Sequence, residues 1–125
     1  MYNTPPCWCI YMLGLTLDWL ESQGGVEGME KIKHSKAAML YDVIDSSRLF
    51  TCAAREGSRS DMNVAFRSVS EELDAKFVAE ATAAGFTNLK GHRKVGGMLA
   101  SIYNAMPVEG VEKLCDFIKA FDKAN

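Results

Sequence analysis

The stretch from Met62 to Arg67 constrains the fold most. Large apolar side chains at Met62, Val64 and Phe66 alternate with Asn63, Ala65 and Arg67. Successive side chains of a strand point to opposite faces, so a period of two marks a strand buried on one side. The segments on either side carry their apolar residues at helical spacing instead. A one-sided sheet among amphipathic helices has a simple solution: the helices cover its apolar face, giving an α+β layer.

The rest of the chain fits that layer. Thr4-Pro5-Pro6 reads as a helix start, since threonine can cap and proline is tolerated in a first turn. Ile10, Leu13, Leu17 and Leu20 carry this helix to about Ser22, and Gln23-Gly24-Gly25 stops it. A second helix is expected over residues 26–45, with Met39, Leu40, Val43 and Ile44 on its apolar face. Residues 50–52 fit a short strand and 53–58 a loop. Ser68 or Ser70 opens the next helix. Ser68-Val69-Ser70-Glu71 has capping-box spacing, and Gly85 closes the helix. Residues 86–90 and 98–103 are strand candidates around a glycine-rich loop at 91–97. Pro107 precedes a last helix over residues 108–123, with Val111, Leu114, Cys115, Ile118 and Phe121 on one side. The expected architecture is a single α+β domain over residues 1–125: a small antiparallel or mixed sheet with helices on one face.

Several function classes drop out. A formal net charge of −2 offers no basic field for nucleic acid or an anionic membrane. The most apolar run, residues 10–17, is too short to span a bilayer and ends at Asp18. No cationic segment precedes it, so a secretory signal is not expected and the expected compartment is the cytoplasm. Cys7, Cys9, Cys52 and Cys115 have neither disulfide nor metal spacing. They read as reduced, mostly buried thiols, and no metal site is expected. His34 among Lys31, Lys33 and Lys36 reads as a solvated helix face, and Arg55, Arg59 and Arg67 as surface charge, with Arg59, beside a strand start, also fitting a structural role.

Two segments could carry binding chemistry. Lys90-Gly91-His92-Arg93-Lys94-Val95-Gly96-Gly97 sets cationic and ionisable side chains among glycines, which let backbone approach a ligand. Arginine offers a planar fork for phosphate or carboxylate oxygens, and histidine adds a donor. An anion site and a solvated basic turn both fit this spacing. Asn3 and Thr4 stand before the first helix, whose N-terminal amides and partial positive charge suit a phosphate. Taken alone, that pattern is equally a plain N-cap. No nucleophile–base arrangement appears, so no residue of this chain is assigned a catalytic role.

These segments also carry a resemblance. Tyr2-Asn3-Thr4-Pro5-Pro6, Arg59-Ser60-Asp61-Met62-Asn63-Val64 and Lys90-Gly91-His92-Arg93 through Gly96-Gly97-Met98 resemble the phosphoserine aminotransferases. So does Ala100-Ser101-Ile102-Tyr103-Asn104-Ala105-Met106-Pro107. The resemblance implies the C-terminal small domain of a fold-type I enzyme dependent on pyridoxal phosphate (PLP), exchanging an amino group between phosphoserine and 2-oxoglutarate in serine biosynthesis. It implies a homodimer in which Asn3 and Thr4 reach the cofactor phosphate of the neighbouring subunit. His92 and Arg93 would contact the phosphate or distal carboxylate of the substrate. Residues 1–24 would be a long apolar helix joining a large domain, and that domain would carry the lysine that holds the cofactor. Lys90 and Lys94 do not match that lysine, so no cofactor is expected bound covalently here, and this chain alone should be inactive.

Two departures stand out. Leu99 occupies the place of an arginine usual in the family, and leucine cannot clamp a carboxylate. Ala65 replaces a usual proline. Leu99 leaves room for an alternative function, a free-standing, non-catalytic anion-binding or interaction module derived from the enzyme.

Overall fold

A computed structural model describes residues 2–125. Along the chain lie α1 (Cys7–Ser22), α2 (Gly25–Asp45), β1 (Phe50–Cys52), a 3₁₀ turn (Glu56–Ser58), β2 (Asn63–Ser68), α3 (Glu71–Ala83), β3 (Met98–Ser101) and α4 (Val108–Ala124). The chain divides into two compact units, one ending at Ile32 and the other comprising Lys33–Asn125.

In the first unit, α1 has no buried residue. Trp8, Tyr11, Leu13 and Leu17 are all exposed, although they point around several sides of the helix. Its N-cap is Pro6, and no side chain caps it. The expectation that Thr4 caps is therefore corrected. The two prolines move the first helical residue to Cys7, and a capping hydroxyl must sit at the cap itself to reach the amides two or three residues on.

In the second unit the three strands pair antiparallel in the order β1-β2-β3. Phe50 faces Ser68 across β1 and β2, and Val64 faces Ala100 across β2 and β3. The alternation in β2 holds: Val64, Phe66 and Ser68 are buried, while Asn63 and Arg67 are exposed. On the buried face the strands meet Ala37, Leu40 and Ile44 of α2, Phe77 and Ala81 of α3, and Val111, Leu114, Ile118 and Phe121 of α4. Phe77 is the hub. Its ring meets Phe50 at 5.0 Å, Phe121 at 5.2 Å, Phe117 at 5.3 Å and Phe66 at 5.9 Å, all steeply tilted or edge-on. Burying one such side chain contributes roughly 1.5–3 kcal/mol, and each aromatic pair about 0.5–1.5 kcal/mol more.

Four local expectations differ from the structure. Ser68 still belongs to β2, so the cap of α3 is Ser70, whose Oγ accepts from the Leu73 amide at 3.2 Å. The Ser68–Glu71 box does not form; instead the Ser68 amide donates to Asp74 at 2.6 Å. Residues 86–90 are not a strand. Asn88 has φ 60, which breaks an extended run, and only Lys90 bridges to Met98. The strand at 98–103 ends at Ser101. Of the cysteines, only Cys115 is buried; Cys52 is half-buried, and Cys7 and Cys9 are exposed.

Lys36 explains the early end of β3. It is fully buried rather than solvated. Its Nζ donates to the carbonyls of Tyr103 at 2.9 Å, Asn104 at 3.2 Å and Met106 at 3.0 Å. Three carbonyls turned onto one ammonium cannot also join a ladder. Desolvation, and then nearby Lys33, push this amine below the usual lysine range. A second tie joins the end of α2 to α4. Asp122 accepts from Ser47 Oγ and from the Leu49 amide, both at 3.0 Å, and from the Arg48 amide at 3.4 Å. Arg59 makes a third, with both Nη atoms 2.7 Å from Asp45 and its guanidinium 4.6 Å from the centre of the Tyr41 ring.

Two predictions follow from these ties. Lys36→Met keeps the methylenes but strands three carbonyls, and should destabilise the chain by about 2–3 kcal/mol; a urea midpoint equal to that of the wild type would refute the clamp. For Asp122, desolvation pushes the carboxyl up, but the Ser47, Arg48 and Leu49 donors outweigh it and hold it below the usual value. The folded state then binds fewer protons than the unfolded one, so this stabilisation is present above about pH 4 and is lost as pH falls through the depressed folded value. Asp122→Asn should lower the urea midpoint at pH 7 and flatten its fall below pH of about 4. An acid limb as steep as that of the wild type would contradict this account.

Candidate anion-binding site

The basic loop is the tip of a narrow hairpin whose second arm leads into β3. The Leu99 amide donates to the Leu89 carbonyl at 2.9 Å, and the Gly91 amide to that of Gly97 at 2.8 Å. At the tip, the His92 carbonyl accepts from the Val95 and Gly96 amides at 2.8 and 2.9 Å. The closeness of the arms dictates glycine. A Cβ on Gly91 would lie 2.3 Å from the Gly96 oxygen, and one on Gly97, at φ 64, 2.6 Å from the Phe66 oxygen. At these two positions glycine serves the closure of the loop on itself and on β2.

Lys90, His92 and Arg93 line one cleft of about 560 Å³ with Glu71, Asp74, Ala75 and Val78 of α3. Among the described residues, none of Lys90, His92, Arg93 and Lys94 has a carboxylate partner in an ion pair. The Asp74 carboxylate in the cleft is engaged by the Ser68 amide. Lys94 does not line the cleft, but its amide donates to His92 Nδ1 at 3.3 Å. With Nδ1 accepting, the neutral ring carries its proton on Nε2, which remains free to donate. An arginine fork, an imidazole N–H and a lysine ammonium are the donors that phosphate or carboxylate oxygens take.

Asn3 and Thr4 precede α1 in the other unit, and both are exposed. Among the described residues, only the Cys7 and Ile10 amides of the first turn find backbone acceptors, in Pro5 and Pro6. The start of the helix therefore keeps open donors beside the Asn3 and Thr4 side chains. No group of three or more potential metal ligands occurs among the described residues. None of the described helices is long and apolar enough to cross a membrane.

Leu99 lies on the sheet face away from the core, opposite Ala65. Arg67, two residues along on the same face of β2, donates from Nη2 to the Val95 carbonyl at 3.0 Å. Sequence reading missed this link, because it spans 28 positions. It also missed Lys36, although that residue lies four positions before Leu40 and eight before Ile44, in phase with the core stripe of α2.

A sequence model of the class-V aminotransferase family matches residues 1–114. The phosphoserine aminotransferase of Streptococcus suis is 54% identical over 126 aligned residues, which take in all of this chain and 35% of that protein. That of Desulfotalea psychrophila is 53% identical, again over all of this chain and 35% of its own length. Among solved structures, the phosphoserine aminotransferase of Bacillus circulans subsp. alkalophilus superposes with a TM-score of 0.94 at 47% identity, over 98% of this chain and 34% of that one. The PLP-bound enzyme of Trichomonas vaginalis gives 0.87 at 38% identity, over 95% and 34%. The chain thus spans about a third of the length of the relatives it matches.

Closure of the hairpin yields its own prediction. Gly97→Ala forces a side chain into both a left-handed conformation and the Phe66 carbonyl, and should destabilise the chain by about 1–3 kcal/mol. A thermal midpoint within error of the wild type would show that the loop does not need this approach.

Proposed function

The chain belongs to the class-V aminotransferases, and on that premise we propose that it is the C-terminal part of a PLP-dependent phosphoserine aminotransferase. The observation that carries the reading is the shared cleft: Lys90, His92 and Arg93 open on one side of α3 with no carboxylate partner among the described residues. In this reading Arg93 and His92 bind the phosphate of phosphoserine or the distal carboxylate of 2-oxoglutarate. Asn3 and Thr4, with the open amides of α1, hold the cofactor phosphate in a neighbouring subunit of a homodimer. When bound, the cofactor supplies the electron sink for amino-group exchange.

The chain contributes binding and leaves the covalent step to a large domain, which residues 1–24 join. Its lysines suit that division. The Lys36 amine is committed to three carbonyls, and Lys90 and Lys94 stand exposed on the loop. This chain alone is then inactive as a transaminase, and the complete enzyme serves serine biosynthesis in the cytoplasm.

Calorimetric titration with O-phosphoserine tests the reading. Binding should be measurable, and Arg93→Ala should weaken it about tenfold or more, the worth of a charge-assisted bond. His92→Ala should weaken it less, since it loses one donor. PLP added with O-phosphoserine and 2-oxoglutarate should give no glutamate. Absent binding, affinity untouched by Arg93→Ala, or turnover by this chain alone would overturn the assignment.

A further inference from the structure

The tip of the basic loop is held almost wholly by itself. The bonds from Val95 and Gly96 to the His92 carbonyl and from Lys94 to His92 Nδ1 lie within five consecutive residues. The stem bond from Gly91 to Gly97 fixes the base but not the tip. Among the described residues, one side chain from outside the loop hydrogen-bonds the tip: Arg67 of β2, through Nη2 to the Val95 carbonyl at 3.0 Å. Val95 is two residues from Arg93 and three from His92, so its carbonyl is a lever on both.

The backbone explains why Arg67 can do this. Gly97 follows the loop and lies against the end of β2, where a Cβ would sit 3.1 Å from the Arg67 Cβ as well as 2.6 Å from the Phe66 oxygen. Arg67 is an outward position of β2, so its long side chain is free of the core and runs along the loop. Among the described residues it has no carboxylate to draw it elsewhere. A planar fork fixed at one N–H loses little further freedom when it binds a carbonyl, unlike a lysine on the same strand.

We propose that Arg67 is a positioning residue for the anion site: its guanidinium fixes the tip of the loop so that His92 and Arg93 are presented to the anion together. The proposal rests on the anion-binding role assigned to those two residues above. Pre-organisation of this kind raises affinity by lowering the ordering cost on binding.

Arg67→Met and Arg67→Lys in the 125-residue chain test this, with inorganic phosphate and O-phosphoserine as probes. Arg67→Met should weaken both by about three- to tenfold, the range of one hydrogen bond, while the chain stays folded and its urea midpoint falls by no more than the loss of that one bond. Arg67→Lys should recover part of the loss. In the unliganded chain, the backbone ¹⁵N relaxation of Val95 and Gly96 should report a more mobile tip in Arg67→Met. The dependence of affinity on salt should keep its slope, since Arg67 does not itself neutralise the anion. A slope reduced by one charge would make Arg67 a direct ligand and overturn the positioning role. So would unchanged affinity with an unchanged tip. Arg93→Ala separates the two levels. If it abolishes binding while Arg67→Met does not alter it, only this proposal fails; if the wild-type chain binds neither probe, the anion site fails and the proposal with it.

Discussion

The packing of Phe66 and its neighbours onto Phe77 governs the placement of most other groups in the unit. Once Phe50, Val64, Phe66, Met98 and Ala100 are buried against α2, α3 and α4, the period-two geometry of a strand sends Ala65, Arg67 and Leu99 to the opposite face. A slip of one residue between β2 and β3 would exchange these sets and expose the aromatic core. The register Phe66 to Met98 is therefore set by burial, and the hairpin carrying His92 and Arg93 starts where that register ends. The position of the cationic tip is thus a consequence of hydrophobic packing several residues away.

Charged groups do a different job here. Lys36, Asp122 and Arg59 each tie chain segments that the apolar core does not hold: the turn at 103–106, the turn at 47–49, and the segment before β2. Each meets several partners at once, which compensates the cost of taking a charge out of water. None of them faces the cleft beside α3. The basic side chains that do line it, Lys90, His92 and Arg93, have no carboxylate partner in an ion pair among the described residues. In this unit the charges split into paired ones that hold turns and unpaired ones that remain available to a ligand.

The helices and the one-sided sheet were legible because their signals are local and periodic. The alternation in β2, the stripe on α4 and Gly85 at the end of α3 each lie within one element. What sequence reading misplaced depended on distant partners or on a single backbone angle. Residues 86–90 look extended until Asn88 turns left-handed. Lys36 resembles its exposed neighbour Lys31 until the carbonyls of residues 103–106 arrive, some 70 positions away. Of the candidate site, the residue types at 90–97 were visible as a pattern. The cleft they line with α3 was not, because it forms between elements, and neither was the reach of Arg67.

Leu99 bears on how such a site can divide its work. A leucine on the outer face offers no donor, so within the proposed function the contacts to an anion from this unit come from the loop rather than from the strand behind it. The loop, unlike a strand, has no ladder to hold its tip rigid. A binding element of that kind gains most from a brace anchored in the sheet, and Arg67, on the same face as Leu99 and bonded to Val95, stands at the one outward position of β2 next to the loop. A leucine at one strand position and an arginine at its diagonal neighbour are then two aspects of one arrangement. Under the proposed function, substrate charge is met at the tip of the loop, and the sheet serves to hold that tip still.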